Sequence, residues 1–361
     1  MSNPVRVLVV DDSALMRKLI PQILQADSSI QVVGTAMDGN FGLKKIGELR
    51  PQVVTLDLEM PGMNGLDMLK EIMLRHPVPV IVVSSHSTEG ASVTFKALSL
   101  GAFDFVAKPA DVSSRMPEIA QELIGKIKAA ALSRGFGVCP LPSFQAARPG
   151  ERAALDSKKK PTKVVAIGIS TGGPQALQYL LPQLPSDFPG TILVVQHMPE
   201  GFTDMFARRL DEVCAIRVKE AQSGDILLAG RALICPGNRH LKVKKLPLGD
   251  VVVLSDEPRV NGHRPSVDVL FHSLAQEFGS KGMAVLMTGM GDDGAQGLGA
   301  VKAAGGLTVA QSEDSCVVYG MPKAAIDRGF ASRVVPLDVL VNTLIAQCKV
   351  SGENAAGAAR G

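Results

Sequence analysis

Tryptophan is absent from the 361 residues, tyrosine occurs only twice, and aromatic residues make up 4% of the chain. The net charge is a small +3. No basic cluster is interleaved with aromatic side chains, which sets nucleic-acid binding aside, and Lys158-Lys159-Lys160 reads as a solvated linker. Cysteine is scarce too: five, at positions 139, 214, 235, 316 and 348, with no C-x-x-C pair. An odd number without paired spacing excludes a disulfide framework and a zinc site, and points to the reducing cytoplasm. Nowhere do the roughly 18 successive apolar residues of a membrane helix occur, and Met1 leads through a short apolar strand straight into Asp11-Asp12. Neither a signal peptide nor membrane insertion is therefore expected. What is present is globular material, 46% hydrophobic and 20% charged, in a length that suits about two domains.

From Val5 the chain repeats a strand-then-helix unit. Val5 to Val10, Ile30 to Ala36, Val53 to Leu56, Val78 to Val83 and Phe103 to Ala107 are strand-like, with helical stretches such as Ala14 to Leu24 and Leu66 to Leu74 between them. Such repetition predicts a doubly wound parallel sheet, whose functional groups sit at the carboxyl ends of the strands. The polar residues fall there: Asp11 and Asp12, Asp57, Ser84, and Lys108 followed by Pro109. Crowded carboxylates repel one another, and a hard cation such as Mg2+ neutralises them while leaving room for phosphate oxygens. Lys108 adds a further positive charge. Singly, Asp12 could cap a helix, Asp57 could be a turn residue before Met60-Pro61-Gly62, and Lys108 could be a surface cation. Jointly these alternatives would have to coincide at four strand ends.

Asp11-Asp12-Ser13, Leu56-Asp57-Leu58-Glu59-Met60-Pro61, Val83-Ser84-Ser85 and Asp104-Phe105-Val106-Ala107-Lys108-Pro109 resemble the receiver domain of bacterial response regulators. The resemblance implies a flavodoxin-like (βα)5 fold over residues 1–125. It implies that Asp57 takes a phosphoryl group from a chemotaxis histidine kinase, with Asp11, Asp12 and Asp57 at Mg2+, Ser84 sensing the phosphate and Lys108 contacting it.

After Pro109, Met116 to Leu132 is amphipathic enough for a helix, and the texture then turns polar and rich in Pro and Gly up to Pro161. We assign residues 126–161 to a linker, 162–350 to a second domain and 351–361 to a disordered tail.

In the second domain Val164 to Ile169, Thr191 to Gln196, Arg231 to Cys235, Met283 to Thr288 and Leu307 to Ala310 read as buried strands. Asp204 to Leu210 and Val267 to Phe278 read as helices, and Leu241 to Leu254, turning at Leu248-Gly249-Asp250, as an antiparallel hairpin. The expectation is a second doubly wound α/β domain with an inserted hairpin. Behind its first strand stands Gly168-Ile169-Ser170-Thr171-Gly172-Gly173-Pro174, which fits G-x-S-x-G, with Pro174 placed to open a helix. Strand, sharp turn and helix can display a serine hydroxyl beside N-terminal N–H groups. The same turn could also cap the helix or cradle a phosphate, although it lacks the Lys-Ser or Lys-Thr pair of a P-loop and the Gly-x-Gly of a dinucleotide site.

A serine nucleophile needs a base, and the base needs a carboxylate to fix its tautomer. His197 directly follows a buried strand, whereas His240, His263 and His272 occupy loop or helical contexts. Asp292 and Asp293 share a Gly-rich turn after the Met283 to Thr288 strand. Either could serve on these grounds. The order serine, histidine, acid matches neither the α/β-hydrolases nor the chymotrypsin and subtilisin proteases.

The turn at Ser170, Gln196-His197-Met198-Pro199, Cys235-Pro236-Gly237, Arg264-Pro265-Ser266-Val267-Asp268 and Thr288-Gly289-Met290-Gly291-Asp292-Asp293-Gly294 resemble the CheB methylesterases of bacterial chemotaxis. The resemblance implies Ser170 as nucleophile, His197 as general base and Asp293 as orienting acid, with Thr171 and Met290 beside the site. Where the family usually has Asn-Asp, this chain has Asp292-Asp293. The implied activity is removal of methyl esters from glutamates of methyl-accepting chemoreceptors, releasing methanol, and deamidation of receptor glutamines, switched on by phosphorylation. The ester step needs no cofactor.

Overall fold

Alternating β-branched strands and amphipathic helices organise both halves of the chain. The computed structural model describes residues 3–85, 87–108, 116–132 and 159–357. The chain divides into two units, Met1–Leu141 and Pro142–Gly361.

The first unit runs β1 (Val5–Val10), α1 (Ala14–Gln25), β2 (Ile30–Ala36), α2 (Gly39–Leu49), β3 (Val53–Leu56), α3 (Gly65–Arg75), β4 (Val80–Ser84), α4 (Thr88–Ser99), β5 (Asp104–Ala107) and α5 (Met116–Leu132). Its five strands are parallel in the order β2-β1-β3-β4-β5. β3 and β4 are buried throughout, as strands covered on both faces must be. Helix starts are capped by side chains that accept orphan backbone N–H groups: Ser13 from Met16, Asp38 from Phe41, Asn64 from Asp67 and Ser87 from Gly90. Each cap is worth about 1 kcal/mol. The cap of α1 is thus Ser13, which leaves Asp12 available for another role.

α5 belongs to this unit. Leu123, Ile127 and Ala130 form a buried stripe at helical spacing, and Lys128 Nζ meets Asp27 Oδ2 at 2.5 Å. The unit therefore continues beyond residue 125, because the apolar face of α5 needs the sheet to cover it. At its other end the expected linker stops short of Lys159, whose carbonyl accepts the Ala229 N–H. Thr162 is also tied down, donating to the Cys348 carbonyl at 2.8 Å. Residues 133–158 of that linker lie outside the described residues.

The second unit runs β6 (Val164–Ile169), α6 (Gly173–Leu180), β7 (Thr191–Gln196), α7 (Phe202–Val213), β8 (Arg217–Glu220), β9 (Arg231–Ile234), β10 (His240–Lys244), β11 (Val251–Ser255) and α8 (Val267–Phe278). It continues with β12 (Gly282–Leu286), α9 (Ala295–Ala303), β13 (Leu307–Gln311), α10 (Met321–Asp327), β14 (Arg333–Val335) and α11 (Leu337–Gly357). Seven strands form a parallel sheet in the order β14-β13-β12-β6-β7-β9-β8. β10 and β11 pair antiparallel apart from it, the hairpin expected from the sequence.

β8 and β14 were not anticipated. Both are short edge strands carrying charged residues at their first position, so no apolar run marks them. α11 extends to Gly357, past Ser351 where a disordered tail was expected, since Glu353, Ala355 and Ala356 favour helix. Residues 358–361 of that tail lie outside the described residues. Chain order reverses at β6, whose neighbours β7 and β12 come from the two halves of the unit. A crevice at the carboxyl ends of these strands follows.

Candidate active site

In the first unit, Asp11 and Asp12 follow β1 and Asp57 follows β3, adjacent strands at the reversal of that sheet. One carboxylate oxygen from each lies within 4.8 Å of the others. Lys108 Nζ stands 2.6 Å from Asp57 Oδ2 and 3.1 Å from Asp11 Oδ2. Asp11 and Asp57 are buried, Asp12 is exposed, and Asp11 Oδ2 lacks a hydrogen bond of good geometry among the described residues. One lysine between two buried carboxylates leaves excess negative charge. Burial, aided by Asp11, pushes the Asp57 carboxyl above its usual range against the pull of Lys108. Burial would lower the Lys108 ammonium, but its bond and charge interactions with Asp57 and Asp11 prevail and hold it protonated. A buried carboxylate oxygen held only by the shared Lys108 ammonium, in an acidic, all-oxygen cluster, fits a hard divalent cation. Ser84 ends β4 and is buried, but its hydroxyl donates to the Gly90 carbonyl at 3.2 Å rather than reaching Asp57.

In the second unit, three strand ends are stitched together by backbone bonds. Ser170 N–H donates to the Thr288 carbonyl at 2.9 Å, and His197 N–H to the Ile169 carbonyl at 3.2 Å. These bonds set the ends of β6, β7 and β12 level, and the side chains beyond them meet. His197 Nδ1 lies 3.2 Å from Ser170 Oγ, and His197 Nε2 lies 2.8 Å from Asp293 Oδ2. The turn at Ser170 is not a cap: α6 is preceded by Gly172, with φ of 75°, a left-handed conformation that suits glycine, and Pro174 sits in its first turn.

Asp293 is 1% exposed. Besides His197 it accepts from Val267 N–H at 2.7 Å, from Ser266 Oγ at 2.7 Å and from Asp268 N–H at 3.3 Å, all at the N-terminus of α8. Burial acts to raise its pKa, but the bond and charge of His197, with Ser266 and Val267, overcome that and hold it down at about 2. The neighbouring Asp292 points elsewhere. It is exposed and pairs with Arg328 Nη2 at 2.9 Å.

Several contacts around the relay could not be read from the sequence. Gln196 is 3% exposed, and its Nε2 donates to the Ser170 carbonyl at 3.0 Å and to the His197 carbonyl at 3.2 Å, joining the two turns. A Cβ on Gly173 would fall 2.0 Å from Gln196 Oε1, so glycine is needed where the amide packs. A Cβ on Gly289 would lie 2.8 Å from the Ser170 Cβ, which places the Gly289-Met290 turn directly beside the nucleophile candidate. His240 is a strand residue, not a loop one: it opens β10, is fully buried and accepts from Ser266 N–H. Cys235, at the end of β9, is no rival nucleophile, because burial pushes its thiol well above the usual value.

The family described as CheB methylesterase matches residues 165–344, and the response regulator receiver domain family matches residues 7–119. A protein-glutamate methylesterase/protein-glutamine glutaminase of Koribacter versatilis is 64% identical over 355 residues, covering 96% of this chain and 97% of that protein. One of the same name from Pyrococcus horikoshii is 45% identical over 96% of this chain and 94% of that protein. The crystal structure of the Thermotoga maritima CheB methylesterase catalytic domain superposes with a TM-score of 0.50 at 42% identity, spanning 51% of this chain and 98% of that one. Motif, geometry and likeness agree, and the chain belongs to the CheB methylesterase family, with a response regulator receiver domain as its first unit.

Proposed function

We propose that this chain is a phosphorylation-switched protein-glutamate methylesterase and protein-glutamine glutaminase acting on chemoreceptors, with Ser170, His197 and Asp293 as its catalytic triad. The observation that carries the reading is the unbroken relay from Ser170 Oγ through the His197 ring to the buried Asp293 carboxylate. An ionised Asp293 accepts a hydrogen bond from Nε2–H and so keeps the ring proton there, which leaves Nδ1 bare to accept from the serine hydroxyl. Ser170 Oγ attacks the γ-carbonyl of a glutamate methyl ester while Nδ1 takes its proton. The tetrahedral oxyanion forms beside the N-terminus of α6 and the Gly289-Met290 turn, where backbone N–H groups can hold it; one such donor is typically worth about 3 to 4 kcal/mol. Nδ1 then protonates the departing methoxide, and methanol leaves. Water, deprotonated by the same nitrogen, hydrolyses the acyl-enzyme to free glutamate. A glutamine side chain passes through the same acyl-enzyme with ammonia as the leaving group.

Asp57 is the phosphoryl acceptor of this reading, and its kinase and receptor partners follow from the chemotaxis assignment. Asp11, Asp12 and Asp57 would hold Mg2+, which neutralises phosphoryl oxygens when bound. Lys108 supplies the second positive charge, and Ser84 exchanges its bond to Gly90 for one to the phosphoryl group. Among the described residues no helix is long and apolar enough to cross a membrane, in keeping with a cytoplasmic enzyme that meets receptors from inside.

Methanol release from methylated receptor membranes tests the assignment. Ser170→Ala should abolish it while the melting temperature stays within a few degrees, since one hydroxyl contributes little to stability. A near-normal rate in that variant would overturn the mechanism.

A further inference from the structure

His263 lies outside the relay, yet its ring is stacked on that of His197, with centroids 3.9 Å apart and planes 6° from parallel. The contact is built into the backbone. Val260 and His263 exchange two backbone hydrogen bonds, of 3.0 and 2.9 Å, across a two-residue Asn261-Gly262 turn. Both turn residues have positive φ, 52° and 78°, the hairpin geometry that Asn-Gly favours. Asn261 Nδ2 donates to Asp268 Oδ2 at 2.8 Å, and Asp268 in turn accepts from Gly297 N–H at 2.6 Å. The turn that presents His263 is thus anchored to the same first turn of α8 that grips Asp293.

The stack supplies a restraint that the relay lacks. Two hydrogen bonds at Nδ1 and Nε2 fix an imidazole along the line joining those atoms but leave the ring able to tilt about it. A flat plate against one face removes that tilt. A near face-to-face sandwich is not what two neutral rings prefer, whereas a cation over an aromatic face is attractive. The arrangement therefore gains strength when His197 takes up the serine proton.

We infer that His263 is a positioning residue for the general base: its ring holds His197 in plane between Ser170 and Asp293 and steadies the imidazolium formed during attack. This rests on the serine-hydrolase reading of the site, and the test separates the two. The full-length chain is treated with a fluorophosphonate, which phosphonylates an activated serine without receptor recognition, and labelling is followed by intact mass over a range of probe concentrations. Wild type should label at Ser170, and Ser170→Ala should not; a wild type that fails to label sinks the hydrolase reading itself. In His263→Leu, which keeps bulk but not flatness, the limiting rate constant should fall about 3- to 30-fold, with half-saturation unchanged. His263→Gln provides an independent ring-less variant and should fall similarly. His263→Phe restores a flat face and should recover to within about threefold of wild type. Leucine or glutamine variants as fast as wild type overturn the inference, and so does a phenylalanine variant as slow as leucine.

Discussion

Asp293→Asn offers the sharpest probe of the relay, because the structure specifies what the amide has to replace. Four donors converge on the carboxylate: His197 Nε2 and Val267 N–H at Oδ2, Ser266 Oγ and Asp268 N–H at Oδ1. Asparagine offers one acceptor oxygen. With that oxygen at the Oδ2 position, His197 keeps its tautomer, Ser266 can turn its hydroxyl to accept, and the Asp268 N–H loses a bond that is already 3.3 Å long. The loss is then the charge assistance to the imidazolium, about 1.5 to 3 kcal/mol, or roughly 10- to 150-fold in rate. With the amide reversed, its NH2 donates to Nε2 and moves the ring proton to Nδ1, where it faces Ser170. Wrong-tautomer variants of serine proteases lose about 10⁴-fold. We therefore expect kcat to fall between about 10- and 10⁴-fold. Asp292→Asn removes only an ion pair to Arg328 whose side chains are 59% and 36% exposed. Its rate should change less than about threefold. Initial methanol release at saturating methylated receptor, for both variants at equal enzyme concentration, measures the ratio. A larger loss in Asp292→Asn, or an Asp293→Asn enzyme within about threefold of wild type, would refute the reasoning and reassign the acid.

Three further outcomes follow. Asp57→Asn should leave methanol release at its basal rate when a phosphodonor and Mg2+ are added, and chelating the Mg2+ should do the same to wild type; stimulation in either would place the acceptor or the cation site elsewhere. Gly173→Ala would drive a Cβ into Gln196, which is pinned to Ser170 and His197. It should destabilise the fold by about 1 to 3 kcal/mol in urea unfolding and also depress kcat, whereas an unchanged kcat would show that the amide clamp is dispensable. The Asp293 pKa, held at about 2, is below the ordinary carboxylate value, so the stabilisation it brings is complete above about pH 4 and is lost as pH falls through 2. Unfolding free energy should drop between pH 5 and pH 2.5 by about 1 to 2 kcal/mol more in wild type than in Asp293→Asn; equal drops would contradict the buried carboxylate's role.

Both sheets were legible from local pattern, because a strand buried on two faces has to be a continuous apolar run and the residue after it has to be a turn. Hence the runs ending at Val10, Leu56, Ile169 and Gln196 gave away their strands, and Asp11, Asp57, Ser170 and His197 could be picked out as strand-end residues. The edge strands β8 and β14 escaped because edges carry charge; the Met116 to Leu132 helix was read with its observed limits, but its place in the first unit and the end of α11 escaped because composition says little about what covers a helix face. The acid was a different kind of problem. Asp292 and Asp293 are the same residue type one position apart, and no local rule separates them. Only the fold puts one against the α8 N-terminus and His197 and the other in solvent beside Arg328. The same holds for Gln196 over Gly173 and for the His263 ring on His197. Such contacts join residues far apart in the chain, and their strength depends on distances and planes that exist only once the strands have been set side by side.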